Sequence, residues 1–337
     1  MNNAAVKHAG NALKEVMDAC PGEKLLVVSD DVKREVGETF ALAGLELELY
    51  TRMVTLETDP TVFRENIPKF LTESIVNGKP DLVVNCLRDS VEETPFRIRL
   101  IHIETRNKDR RLGHGPGITL DMLTEGALAL STEEYRKMEL TADRIIASTE
   151  DTEKMLMTAP SGTNVEMSVR GRGFFTDTKI TNQNWGNLPT GEVTTGPIEN
   201  SLEGKLVCDI AIGGIGPIEE PITIDCKNGK AISVKGRDRR VLGQVKKTLS
   251  TDSMASIVGE MAIGINRKAR IVKYFLESEK VFGTAHIAFG RNTDFPTGGR
   301  NNSTNHMDFL VNKPTIKVLY QDGRSQEIVV NGRVTLH

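Results

Sequence analysis

EKLLVVSDD (residues 23–31) and PDLVVNCLRDS (residues 80–90) decide the fold. Each is a short apolar run without alternation that ends in polar residues, as expected of a strand buried on both faces. Helix-like segments surround them. Residues 3–19 repeat Ala, Val, Leu and Met at helical spacing, VKREVGETFALAG (32–44) reads as a helix closed by Gly44, and VFRENIPKFLTESIVNG (62–78) reads as another. LELELYTR (45–52) alternates as a strand, and residues 95–119 contain one more strand and a basic loop. MLTEGALAL (122–130) and residues 131–159 read as helical, the second opened by Ser131 as N-cap with Glu134 three residues on. Strands alternating with helices predict an α/β domain with a largely parallel sheet over residues 1–157. It carries neither G-x-G-x-x-G nor G-x-x-x-x-G-K-[ST], so it reads as scaffold rather than as a nucleotide site.

From residue 158 the texture changes. GTNVEMSVRGRGFFTDT, KLVCDIAIGG, PITIDCKNGKAISVKG, PTIKVLYQDG and QEIVVNGRVTLH alternate or carry β-branched runs, with Asn-Gly and Asp-Gly turns between them. KNGK (227–230) is a hairpin turn, and residues 239–252 form one interrupting helix. Residues 158–337 therefore read as a β-rich α+β domain.

A length of 337 residues suits two domains. A net charge of −3 and a pI near 6.1 give no reason to expect nucleic acid or an anionic membrane as partner. Cys20, Cys86, Cys208 and Cys226 are widely spaced, lack a C-x-x-C pair and read as reduced, buried and structural, which fits a reducing compartment. No segment has a secretory pattern or the roughly 20 apolar residues of a membrane helix, so a soluble, cytoplasmic protein is expected.

Polar residues that suggest chemistry cluster in the second half. Glu192 sits in NWGNLPTGEVTTGP, Glu260 in ASIVGEMAIGIN, His286 in FGTAHIAFGRN, and His306 with Asp308 in NSTNHMDFL. Two histidines and three carboxylates are the inventory of a two-metal hydrolytic site, because imidazole binds Zn, Co, Mn or Fe and carboxylates bridge ions. In H-x-D on a strand, residues i and i+2 share a face, so His306 and Asp308 reach one ion together. A carboxylate amid SIVGEMAIGI is costly to bury without a partner, which singles out Glu260. Each has a plainer reading: Glu192 as a solvated turn residue, His286 as a satisfied core histidine, His306–Asp308 as a hydrogen-bonded structural pair. His8, His102, His114 and His337 read as structural or surface residues, and HIETRNKDRR (102–111) as a solvated loop.

Together, GTNVEMSVRGR, NLPTGEVTTGP, GEMAIGIN, TAHIAFGRN and HMDF resemble, in order, the motifs of the aminopeptidase T family of metallopeptidases (the M29 class). The resemblance implies an active site in the C-terminal domain, a homodimer, and small peptides as substrate. It also implies two divalent metal ions (Zn, Co or Mn) held by residues matching Glu192, Glu260, His286, His306 and Asp308. In that reading Asp308 or Glu260 bridges the ions, the histidines are terminal ligands, and Glu192 and Glu260 carry the catalytic work. Where the family has a tyrosine a few residues after the first histidine, this chain reads RNTDFPTGG, with Thr293 and Asp294 near that place. The same superfamily is similar to ring-cleaving dioxygenases of dihydroxypyridines, for which one Fe(II) on His286, His306 and Asp308 would suffice. A mononuclear iron site has no need of Glu192, which favours the peptidase reading.

Overall fold

The computed structural model describes residues 2–181 and 184–336; His337 lies outside them. The chain forms two compact units, residues 1–139 with 177–190 and 268–270, and residues 140–176 with 191–267 and 271–337.

In the first unit a five-stranded sheet runs in the spatial order Tyr50–Leu56, Lys24–Asp30, Leu82–Leu87, Arg111–Pro116, Trp185–Asn187, with every neighbouring pair parallel. The unbroken apolar runs follow from burial on both faces. Leu26, Val28, Val83 and Leu112 pack with Leu71 and Ile75 of helix Lys69–Val76 and with Phe96 and Leu100 of helix Thr94–Glu104. On the other face, a Cβ at Gly44 would lie 2.6 Å from the Leu25 side chain. Gly44 is therefore a close-approach residue inside helix Arg34–Glu46 rather than its stop, and the strand expected from residue 45 begins only at Tyr50.

Other boundaries also differ. The segment 62–78 is helical only after Pro68, which lacks an N–H and sits at the N-cap. The apolar residues of PFRIRLIHIE form a helix with Pro95 in its first turn, and the strand in that region is Arg111–Pro116. MLTEGALAL is helical only at its start, in Leu120–Thr124. The segment 131–159 splits into helix Thr132–Ser148 and strand Thr152–Thr158, separated by Asp151 at positive φ. Ser131 and Glu134 do form a reciprocal cap, each side chain bonding the other's backbone N–H. Cys86, Cys208 and Cys226 are buried, whereas Cys20 is exposed.

HIETRNKDRR is not simply a solvated loop, because Glu104 is fully buried at the end of its helix. Asn85 Nδ2 donates to Glu104 Oε2 at 2.9 Å and lies 3.2 Å from His114 Nδ1. Burial raises the Glu104 carboxyl to about 8. Burial, with the Arg97 charge, lowers His114 to about 3. Burial thus pushes both titratable side chains of this polar centre toward their neutral forms, while the buried Arg110 guanidinium donates to the Glu104 carbonyl.

The second unit contains two antiparallel sheets. One runs in the order Lys230–Lys235, Ile222–Lys227, Glu203–Cys208, Asn164–Ser168, Thr152–Thr158, Thr315–Tyr320, Ser325–Val330, Arg333–Val334. The other runs Gly216–Pro217, Ala211–Ile212, His306–Asn312, Thr284–Gly290, Val258–Gly264, Glu192–Thr195, Phe175–Thr176. The expected hairpin turn is present, with Asn228 and Gly229 both at positive φ. The α/β unit with its parallel sheet and the β-rich antiparallel unit agree with the fold class read from the sequence.

Glu104 generates a pH prediction. Its folded pKa of about 8 exceeds the ordinary 4.5, so the stabilisation it gives is complete below pH 4.5 and is lost as pH rises through 8. Glu104→Gln, neutral at every pH, should remove that loss. Urea unfolding followed through Trp185, the single tryptophan and a member of this sheet, should show the variant gaining on the wild type between pH 5 and 8. An unchanged difference across that range would show that Glu104 is ionised in the fold.

Candidate metal centre

Four neighbouring strands of the seven-stranded sheet carry all five residues singled out by the sequence. Glu192 opens Glu192–Thr195, Glu260 lies in Val258–Gly264, His286 in Thr284–Gly290, and His306 and Asp308 in His306–Asn312. Directly paired residues of antiparallel strands point to the same face, as do residues i and i+2. The register pairs Asp308 with Ala288, Ala288 with Glu260, His306 with Gly290, His286 with Ala262, and Glu192 with Gly264. All five side chains therefore share one face. The positions between them, Ala262, Gly264, Ala288 and Gly290, are small and leave that face to the long polar groups. The opposite face is anchored by buried Met261, Ile263, Ile287, Phe289, Met307 and Phe309, with Phe289 and Phe309 edge to face at 5.8 Å.

Glu260 reaches this face through a β-bulge. Val258 pairs with Phe289 on the apolar face, and Glu260 pairs with the next residue, Ala288, on the polar face. Gly259 is the extra residue, and a Cβ there would lie 2.4 Å from the Gly290 carbonyl. Only glycine fits the bulge that aims the glutamate.

The donor atoms converge. His306 Nε2 lies 2.9 Å from Glu260 Oε2 and 3.2 Å from Asp308 Oδ1. His286 Nε2 lies 3.8 Å from Glu192 Oε2, 3.8 Å from Glu260 Oε1 and 3.9 Å from Asp308 Oδ1, too far for hydrogen bonds. Glu192, Glu260, His286 and Asp308 are buried, while the His306 side chain keeps 32 % of its surface at the rim. Among the described residues, three donor groups each hold their atoms within 4.8 Å of one another: Glu192–Glu260–His286, Glu260–His306–Asp308 and Glu279–His286–Asp308.

Supporting contacts fix these side chains. Thr194 Oγ1 donates to Glu260 Oε1 at 2.6 Å. The Arg291 carbonyl lies 2.8 Å from His306 Nδ1. A carbonyl only accepts, so Nδ1 carries the proton and Nε2 is turned toward the carboxylates. The loop before His306 is tied down by Asp252, which accepts from Ser303 Oγ, Thr304 N and Thr304 Oγ1 at 2.8–2.9 Å. The Thr304 backbone donor leads the groups that hold Asp252 down at about 2.

Crowding sets the ionisation. Burial opposes charge on His286, but Glu260, Asp308 and Glu192 outweigh it and raise the imidazole to about 9. Burial likewise opposes charge on His306, and Asp308 and Glu260 raise it well above its ordinary value. Burial works against an ionised Glu260, yet His286 and His306 hold it well below the carboxylate range. The cluster thus pairs its buried carboxylates with the imidazoles of His286 and His306.

Two members were not anticipated. Glu279 and Lys280 are both buried beside the cluster, and the Lys280 ammonium contacts Glu192 and, at 2.9 Å, Glu279. ESEK (277–280) looks like a charged surface run. Its position between the apolar pairs Phe275–Leu276 and Val281–Phe282 is the signal that could have exposed it.

The residues fit a divalent metal. Ligand bonds of about 2.0–2.2 Å require donor separations of roughly 3–4.4 Å, and the histidine–carboxylate separations here run from 2.9 to 3.9 Å. An imidazole whose second nitrogen bonds a backbone carbonyl, as in His306, is the usual support of a metal-binding histidine.

A family model described as thermophilic metalloprotease (M29) matches residues 132–334. The aminopeptidases T of Thermus aquaticus and of Thermus thermophilus are each 27 % identical over 165 residues, which is 44 % of this chain and 40 % of theirs. The aligned part of the chain thus spans well under two thirds of those relatives' length. Wild-type AmpT from Thermus thermophilus superposes with a TM-score of 0.70 at 17 % identity, over 99 % of both chains. The 2,5-dihydroxypyridine dioxygenase from Pseudomonas putida KT2440 also superposes with a TM-score of 0.70, at 18 % identity, over 99 % of this chain and 98 % of that one. At such identities the two structures speak for the fold alone. With its donor motifs inside the matched segment, the chain belongs to the thermophilic metalloprotease (M29) family.

Proposed function

We propose that this chain is a metal-dependent aminopeptidase-type hydrolase that releases N-terminal residues from small peptides. The observation that carries the reading is the single face shared by two histidines and three carboxylates, with Glu260 common to two of the donor groups. That overlap supports two divalent ions, Zn, Co or Mn, at Glu192–Glu260–His286 and at Glu260–His306–Asp308. Such ions supply Lewis acidity, which polarises a peptide carbonyl and acidifies water.

The protein's own groups do the rest. Thr194 fixes one Glu260 oxygen, and this carboxylate would contribute to both positions. The Arg291 carbonyl holds the His306 tautomer that presents Nε2. Glu192 is fastened through Oε1 by Lys280, and its Oε2 turns toward His286, where it would serve as ligand or accept a proton from water. Excess carboxylate beside the ions offers a site for the free α-amine of a peptide, which would confine cleavage to the N-terminus. Glu192 also favours this reading over a one-iron, ring-cleaving oxygenase built on His286, His306 and Asp308.

Glu260→Ala and His306→Ala should each lower kcat/KM on aminoacyl substrates by about 100-fold or more, since each removes a ligand. Metal-dependent activity intact in both variants would end the proposal. Thr194→Val keeps the shape but removes the hydroxyl on Glu260. Divalent-ion affinity, measured by competition with a chelating dye, should fall about 10–100-fold. Unchanged affinity would mean that Thr194 does not orient a ligand.

A further inference from the structure

Lys280 is fully buried, and its ammonium bridges Glu192 and Glu279. A lysine kept away from water retains its charge when a fixed anion compensates for lost hydration, and the Glu192 carboxylate lies against this one. Its placement makes the two donor groups that share Glu260 unlike. In Glu260–His306–Asp308 the imidazole contacts both carboxylates directly, at 2.9 and 3.2 Å. In Glu192–Glu260–His286, one oxygen of Glu192 is already engaged by Lys280, and the other stands 3.8 Å from His286 Nε2.

Resting on the metal-centre reading above, we propose that Lys280 is a positioning residue that makes the two ion positions unequal. The Glu260–His306–Asp308 position binds its divalent ion tightly. The Glu192–Glu260–His286 position binds its ion weakly and exchangeably, because that ion shares Glu192 with a buried ammonium. Two electrostatic effects act together. A cation entering the second position meets the repulsion of Lys280 at short range, where little water screens it. It also meets a cluster whose negative charge the first ion has already largely neutralised. Glu279 completes the device by holding Lys280 from the far side, so the ammonium is not free to swing away when the second ion arrives. The expected consequence is an enzyme whose second ion, and with it the full centre, depends on the free metal concentration.

The test is a titration of the metal-stripped full chain with Mn²⁺ by calorimetry, with bound ions counted by elemental analysis. In the wild type the second ion should bind at least about tenfold more weakly than the first. In Lys280→Met the second affinity should rise by about tenfold or more and close most of the gap, while Lys280→Arg should keep it. In Glu192→Gln one ion should remain, with the first affinity unchanged. Two ions of equal affinity in the wild type would overturn the proposal. So would Lys280→Met with the second ion unchanged or weaker, or Glu192→Gln that loses the first ion. Should Lys280→Met fail to fold, the wild type and Glu192→Gln decide. A wild-type chain that binds no Mn²⁺ at all would instead remove the metal-centre reading on which the inference stands.

Discussion

The register of four antiparallel strands is the constraint on which the site depends. A one-residue shift in any of them would turn its donor to the apolar face, because side chains alternate along a strand. The bulge at the buried Gly259 is the point of this arrangement least tolerant of substitution. It allows Val258 to pack on one face and Glu260 to reach the other within two residues. The buried apolar residues behind the site, including the Phe289–Phe309 pair, hold the register from the opposite side. Packing on one face and chemistry on the other are thus two consequences of one alignment.

That alignment concentrates charge where it is costly. Burying carboxylates without compensation is strongly unfavourable, and the cluster combines Glu192, Glu260, Glu279 and Asp308 within one sheet face and its flank. Protonated histidines and the Lys280 ammonium compensate in the metal-free protein. Divalent ions would replace the protons on the histidines without displacing the lysine. The contrast with the first unit is instructive. There, burial pushes Glu104 up and His114 down, so both lean toward their neutral forms beside Asn85.

Much of this was legible in the chain itself. The parallel sheet followed from apolar runs too continuous for a one-sided strand, and the pairing of His306 with Asp308 followed from the two-residue repeat. Glu260 stood out as a carboxylate in an apolar strand. Other features depend on contacts between distant segments. Gly44 looks like a helix stop, and only the proximity of Leu25 shows that it is a close-packing residue. Strand parity would assign Glu260 to the face of Val258, and only the pairing with Phe289 and Ala288 reveals the bulge. Glu279 and Lys280 resemble ordinary surface charge until the fold encloses them. The strand Thr152–Thr158 was hidden behind a long helical pattern because a single residue at positive φ, Asp151, ends that pattern.

The most direct test of the account is the metal content of the full chain, stripped and then reloaded under excess free ion, by elemental analysis. The account predicts close to two Zn, Co or Mn ions per chain, falling to about one on removal of free ion. A chain that retains no metal after reloading, or one that takes up a single iron and rejects the others, would contradict it.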